Sequence, residues 1–179
     1  MWWYLTIFVL MSLGLACSSA PVETPVPEKH SVESKEPAPK LEKVTFEQFE
    51  KAVAGYKGQV VIVDVWGEFC IPCKKKFPSI MQMNKDLAKL GVVFMTVSRD
   101  EAENEKAVLE FLTKQKALIP NFILVDSEEN IQEGSKRIDV TVPPQMHVFN
   151  RLGKLVKTFD NKNKEAEVEK FIRDLAEKK

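Results

Sequence analysis

Val63-Asp64-Val65-Trp66-Gly67-Glu68-Phe69-Cys70-Ile71-Pro72-Cys73-Lys74 is the stretch on which the reading of this chain turns. Its left end closes a run, QVVIVDVW over 59–66, that is nearly all β-branched or aromatic. Such a run marks a central strand buried on both faces. Its right end opens a predicted helix, with Phe77, Ile80, Leu87 and Leu90 at helical spacing and Gly91 closing it. A CxxC pair therefore stands on a strand-to-helix turn. Free backbone N–H groups and the helix dipole favour an anion at a helix N-terminus. A thiolate at Cys70 is stabilised there, and its pKa falls below the free value of about 8.5. Cys73 lies one turn later, in reach of a mixed disulfide on Cys70. Pro72 suits the first turn, where its missing N–H has no partner to lose.

Other uses of the pair fit less well. A structural zinc needs two more ligands, and the folded region offers no other cysteine and only His147. Haem attachment needs a histidine directly after the second cysteine, where Lys74 stands. A peroxidatic cysteine of the peroxiredoxin type expects threonine three residues before it, where Gly67 stands. No metal and no organic cofactor is implied. Asp64 is costly inside such a strand unless it is protonated or hydrogen-bonded. It reads as a base for the Cys73 proton, against the alternative of a satisfied buried polar group. The strand contains no lysine or arginine, so Lys57, just before it, is the expected cation. Lys74, Lys75 and Lys76 read as a solvated helix face whose field also favours the thiolate, and Glu68 opposes that field. His147, on a predicted core strand, is read as structural.

Outward from this stretch, helix and strand alternate. Thr45 and Gln48 form a capping box before a helix burying Phe46, Phe49 and Val53. A second buried strand is predicted at 92–97, a helix at 101–116, a short strand at 122–125 and a short helix at 128–137. Strands at 145–150 and 155–159 join through a hairpin turn at 151–154, and an amphipathic helix at 165–178 ends the chain. The order is α-β-α-β-α-β-α-β-β-α, an α/β domain.

The CxxC segment, with Trp66 and Phe69 as flanking aromatics and Asp64 six residues before Cys70, resembles the active site of the thioredoxin superfamily. The resemblance covers about 41–179. It implies a thioredoxin-like fold, a central mixed β-sheet flanked by helices. The proline-rich tether before the domain and a helix-strand insert at roughly 101–125, before the cis-proline strand, make the chain most similar to membrane-anchored TlpA/ResA-type thioredoxins. It also implies a thiol–disulfide oxidoreductase with a redox disulfide Cys70–Cys73, in which Cys70 attacks, Cys73 resolves and Asp64 handles the proton. Substrate would meet Trp66, Ile71, Pro72 and a cis-proline. Val142-Pro143-Pro144-Gln145 supplies two candidates for that proline, and counting back from Gly153 favours Pro144. Ile71-Pro72 resembles the pairs of TlpA-like reductases and leans toward reduction. Lys76 departs from the pattern, since ResA-type reductases carry glutamate there. The alternative is a non-catalytic envelope binding or assembly module whose CxxC is a structural disulfide.

The remaining composition sets bounds. Of 179 residues, 26 are Lys or Arg and 26 Asp or Glu, a net charge of zero, without the footprint of a nucleic-acid binder. Residues 2–16, WWYLTIFVLMSLGLA, are too short to span a bilayer and have the length of a signal-peptide apolar region. Leu13-Gly14-Leu15-Ala16-Cys17 resembles a bacterial lipobox, although Gly14 and an n-region without Lys or Arg depart from the pattern. Five of the ten prolines fall in 18–40, a segment too polar to offset its ordering entropy. The expected organisation is a signal peptide at 1–16, lipidated Cys17 with a disordered proline-rich tether through residue 40, and a thioredoxin-like domain at 41–179. The expected setting is the bacterial cell envelope, as a membrane-anchored monomer facing the periplasm or exterior. Its expected partners are exported cysteine-containing proteins and a membrane redox partner that recycles the dithiol.

Overall fold

In the computed structural model, residues 37–178 are described. The 1–16 segment, Cys17 and His30 lie outside the described residues. Along the chain come β1 (Glu42–Val44), α1 (Phe46–Ala54), β2 (Val60–Trp66), α2 (Ile71–Leu87), β3 (Val92–Ser98) and α3 (Glu105–Lys114). Then follow β4 (Asn121–Leu124), α4 (Glu128–Ser135), β5 (Gln145–Phe149), β6 (Leu155–Phe159) and α5 (Glu165–Glu177). The strands form one mixed sheet in the order β1-β4-β3-β2-β5-β6. The first four of that order run parallel, β5 runs antiparallel to β2, and β6 antiparallel to β5.

Every residue of β2 is buried. Because side chains alternate across a strand, Val60, Ile62 and Trp66 enter one core with Phe77 and Ile80 of α2, Val108 of α3 and Ile172 of α5. Val61, Val63 and Val65 enter the other, with Phe46 and Phe49 of α1 and Ile131 of α4. The capping box forms as its sequence pattern requires: Gln48 N–H donates to Thr45 Oγ1 at 3.2 Å and Thr45 N–H to Gln48 Oε1 at 2.9 Å. After α2, a 3₁₀ turn at Ala88–Leu90 leads to Gly91, whose φ of 72° is the left-handed conformation that closes the helix.

Two elements differ from the sequence expectation. β1 has no counterpart there, because three residues with only Val44 buried carry no periodicity; pairing with β4 makes them a strand. The helix expected at 101–116 begins as a 3₁₀ turn, Ala102–Asn104, and continues as α3. The 101–125 segment is no surface appendage, since β4 lies within the sheet between β3 and β1 with all four residues buried.

Arg151, expected only as a turn residue, ties three segments together. Its guanidinium donates to the carbonyls of Gly58 (2.9 Å), Leu90 (3.2 Å) and Ala176 (2.9 Å). Gly134 of α4 lies against the Phe46 ring so closely that a Cβ would sit 2.3 Å from a ring carbon. Phe46 is itself buried and packs edge-on to Phe49 with ring centroids 6.0 Å apart, so its ring yields only at the expense of that core contact. Gly134→Ala is expected to destabilise the fold by roughly 1–3 kcal/mol, as overpacking does. A urea midpoint equal to that of the parent would count against this packing.

Candidate active site

β2 ends at Trp66, and the turn Gly67-Glu68-Phe69 carries the chain to α2. Cys70 is the N-cap of α2, with extended φ −87° and ψ 93°. Its Sγ accepts a hydrogen bond from the Cys73 N–H at 3.3 Å, one of the donors that a helix start leaves free. Cys70 and Cys73 form a disulfide with Cα atoms 5.3 Å apart. Cys70 is 6% exposed and Cys73 3%. On either side of Cys70 in the chain, apolar side chains are open to solvent, Phe69 at 62% and Ile71 at 63%, and on the loop before β5 Val142 is 65% exposed. Pro72 is exposed and Pro144 half-buried. The peptide bond between Pro143 and Pro144 is cis, so the choice between the two prolines falls on Pro144.

Trp66 does not lie where the resemblance implied. It is fully buried, with its ring centroid 5.2 Å from that of Phe77 and 5.0 Å from that of Phe111. The last residue of a two-sided strand turns its side chain toward α2 and α3, not toward a substrate. The aromatic that does reach solvent is Phe69.

Asp64 points from β2 to the same face as Trp66 and α2 and is 5% exposed. No protein donor reaches its Oδ2. Burial pushes its pKa up to about 7 from the ordinary 3.8, and the Lys76 ammonium pulls the other way. The cation near Asp64 is thus Lys76 and not the expected Lys57. The Lys57 stem instead passes Gly153 at the β5–β6 turn. The lysine run is not a uniform solvated face: Lys74 pairs with Glu68 at 2.7 Å, cancelling much of the opposing charge expected from Glu68. Lys76 Nζ donates to the Asp160 carbonyl at 3.2 Å.

His147 is buried, with Nε2 2.5 Å from the Asp139 carbonyl and Nδ1 2.9 Å from Thr158 Oγ1. A carbonyl can only accept, so Nε2 carries the proton and Nδ1 accepts from the hydroxyl. Burial holds its pKa below the usual value, in keeping with a structural role.

Asp100 has a part that sequence reasoning missed. Buried after β3, it accepts the Glu68 N–H at 2.8 Å and the Ser98 hydroxyl at 2.6 Å. Arg99 N–H donates to the Trp66 carbonyl at 2.9 Å. Ser98, Arg99 and Asp100 therefore clamp the turn that presents Cys70. The signal was a polar Ser-Arg-Asp directly after a buried strand, and its meaning needed the pairing of Trp66 with Ser98. Among the described residues, no group of three or more His, Cys, Asp or Glu side chains is placed to hold a metal ion. No described helix is long and apolar enough to cross a membrane.

The sequence profile of the AhpC/TSA family matches residues 34–158, which span the sheet, the cysteine pair and the cis-proline. The chain belongs to the AhpC/TSA family. Two relatives of this member show where it is similar to characterised sequences. The thiol-disulfide oxidoreductase ResA of Bacillus subtilis (strain 168) is 30% identical over 101 residues, 56% of this chain and 52% of that protein. Sporulation thiol-disulfide oxidoreductase A of the same strain is 28% identical over 103 residues, 57% of this chain and 59% of that protein. The chain thus spans little more than half the length of these curated relatives. A solved thiol:disulfide interchange protein of the thioredoxin family, from Chlorobium tepidum TLS, shares the fold. It superposes with a TM-score of 0.57 at 22% identity, over 69% of this chain and 83% of its own. The AhpC/TSA member described here therefore has the thioredoxin-like α/β fold that the CxxC segment implied.

The Asp64 environment has a consequence for stability. The folded, disulfide-bonded protein keeps the Asp64 proton up to about pH 7, whereas an exposed aspartate loses it near 3.8. Between those values the folded state binds more protons than the unfolded state, so this group's contribution falls as pH rises across that window. Asp64→Asn removes that dependence. The variant is expected to gain about 2–3 kcal/mol on the parent between pH 5 and pH 8. Denaturant titrations of the oxidised proteins at both pH values measure it, and parallel pH profiles would overturn the assignment.

Proposed function

We propose that the protein is a thiol–disulfide oxidoreductase that exchanges its Cys70–Cys73 pair with disulfides of other exported proteins. The observation that carries this reading is the pair at the start of α2, with Cys70 Sγ aimed at the Cys73 amide. The names of the matching relatives support it. In the reduced protein the Cys70 thiolate attacks one sulfur of a substrate disulfide, forming a mixed disulfide and releasing the other sulfur as a thiolate. Cys73 then gives its proton to the Asp64 carboxylate and attacks Cys70 Sγ. The Cys70–Cys73 bond forms and the second substrate sulfur leaves as a thiolate. Substrate has gained two electrons and the protein has lost two. A membrane dithiol partner reduces Cys70–Cys73 again, which makes the net direction reduction. Phe69, Ile71 and Pro72 on one side, and Val142 and Pro144 on the other, offer an apolar surface for an extended substrate segment.

Iodoacetamide is expected to modify Cys70 of the reduced protein faster than Cys73, and Cys70→Ser to abolish insulin reduction with dithiothreitol. Faster labelling of Cys73 would reverse the two roles. A pair that resists glutathione and gives no turnover would mark a structural disulfide.

The enzyme works as a monomer at the cell envelope. Residues 1–16 export it, Cys17 carries the lipid, and the proline-rich stretch to residue 40 holds the domain off the membrane. Radioactive palmitate should label the full chain and be lost in Cys17→Ser, which should also leave the detergent phase. Equal labelling of both proteins would remove the anchor.

A further inference from the structure

Asp64 is closed off along β2 and opens sideways. A cleft of about 30 Å³ lies between α2, β5 and the β6–α5 loop, lined by Asp64, Lys76, Met83, Pro144, Phe159 and Asp160 among others. That room admits one or two water molecules. Its walls are mostly apolar, so charges inside it act on one another with little screening. The charged and titratable groups around Asp64 are few. α2 contributes Lys76, the one cation among the described residues lining the cleft. The β6–α5 loop contributes Asp160, whose carboxylate already accepts the Lys162 N–H at 2.8 Å and whose carbonyl accepts Lys76 Nζ. α5 contributes Glu165, held by the Ser79 hydroxyl at 2.7 Å. The residues paired beside Asp64 in the sheet, Thr96 of β3 and Met146 of β5, carry no charge. Both acids hold hydrogen bonds from neutral donors and keep their charge, and of the charges lining the cleft the Lys76 ammonium is the one that acts on the buried carboxyl.

We propose that Lys76 is a positioning residue of the exchange reaction, held over the cleft by the Asp160 carbonyl so that its ammonium sets how readily Asp64 takes up and gives up a proton. The inference rests on the reading of Asp64 as the acceptor of the Cys73 proton. In the resolving step the Cys73 S–H bond breaks, its proton moves to Asp64, the Cys70–Cys73 bond forms, and the substrate sulfur leaves with the electron pair of the broken mixed disulfide. The carboxylate must be ionised before that step. A cation across the cleft favours the ionised form, which extends the working range of the base toward lower pH. The Asp160 carbonyl limits the reach of an otherwise mobile four-carbon stem.

The test uses the full-length protein in two measurements. Carboxyl-carbon NMR of the oxidised form follows the titration of Asp64 directly. Stopped-flow release of substrate from a preformed mixed disulfide on Cys70 follows the resolving step against pH. Lys76→Met keeps the stem and removes the charge. It is expected to raise the Asp64 midpoint by about one pH unit and to move the half-rise of the resolving rate by the same amount, with the plateau rate retained. Lys76→Arg should restore both midpoints, and Lys76→Glu should raise them beyond Met. An unchanged Asp64 midpoint in Lys76→Met, with the fold verified by its urea midpoint, overturns the assignment of Lys76 whatever the turnover. A midpoint that moves while the resolving rate ignores pH overturns the base role of Asp64 in the proposed function, and leaves the hold of Lys76 on Asp64 intact.

Discussion

β2 is covered on both faces and flanked on both edges, and the rest of the molecule depends on that. Two cores meet on this strand, one under α2, α3 and α5 and the other under α1 and α4. A strand so confined has little freedom of register, because a slip by one residue would exchange the two cores. Its C-terminal end is therefore a fixed point, and the turn to α2 starts from it. The Asp100 clamp and the Arg99–Trp66 hydrogen bond hold the same end from the β3 side. The cysteine pair follows backbone restrained by β2 and by the residues after β3, which is how a short turn presents a sulfur in one geometry.

Within that confinement, Asp64 is the residue that local consistency would reject. A buried carboxyl with one unpartnered oxygen is destabilising in its ionised form, and an asparagine or valine would fit the strand at lower cost. Exceptions of this kind concentrate at functional sites. Here the exception stands on the face of β2 that carries the cysteines, with its proton affinity raised by burial into the range where thiol chemistry runs.

The charges near the cysteine pair are more balanced than their number suggests. Glu68 and Lys74 satisfy one another, and pairs this exposed add little to stability. What distinguishes Cys70 is its position as N-cap, where its sulfur meets a backbone N–H that no other group claims. On either side of Cys70 in the chain, Phe69 and Ile71 leave apolar side chains open to solvent.

Features that depend on a few consecutive residues were legible in the sequence. The β-branched run, the CxxC after it, the Thr45–Gln48 box and the closing Gly91 each follow from local geometry, and all lie where their pattern puts them. The choice of Pro144 came from counting along a hairpin, which is also local. What the sequence left open required knowing which strands pair and which faces are covered. β1 is a strand only because β4 lies beside it, 80 residues along in register from Glu42 to Phe122. Trp66 turns inward because α2 and α3 close over the end of β2. Asp100 meets Glu68 because β3 runs beside β2. Lys76 replaces Lys57 as the cation of Asp64 because α2 crosses the face that Asp64 occupies, while Lys57 is drawn to the β5–β6 turn. Proximity in sequence favoured Lys57, and only the packing of a helix on a sheet decides which charge a buried carboxyl meets.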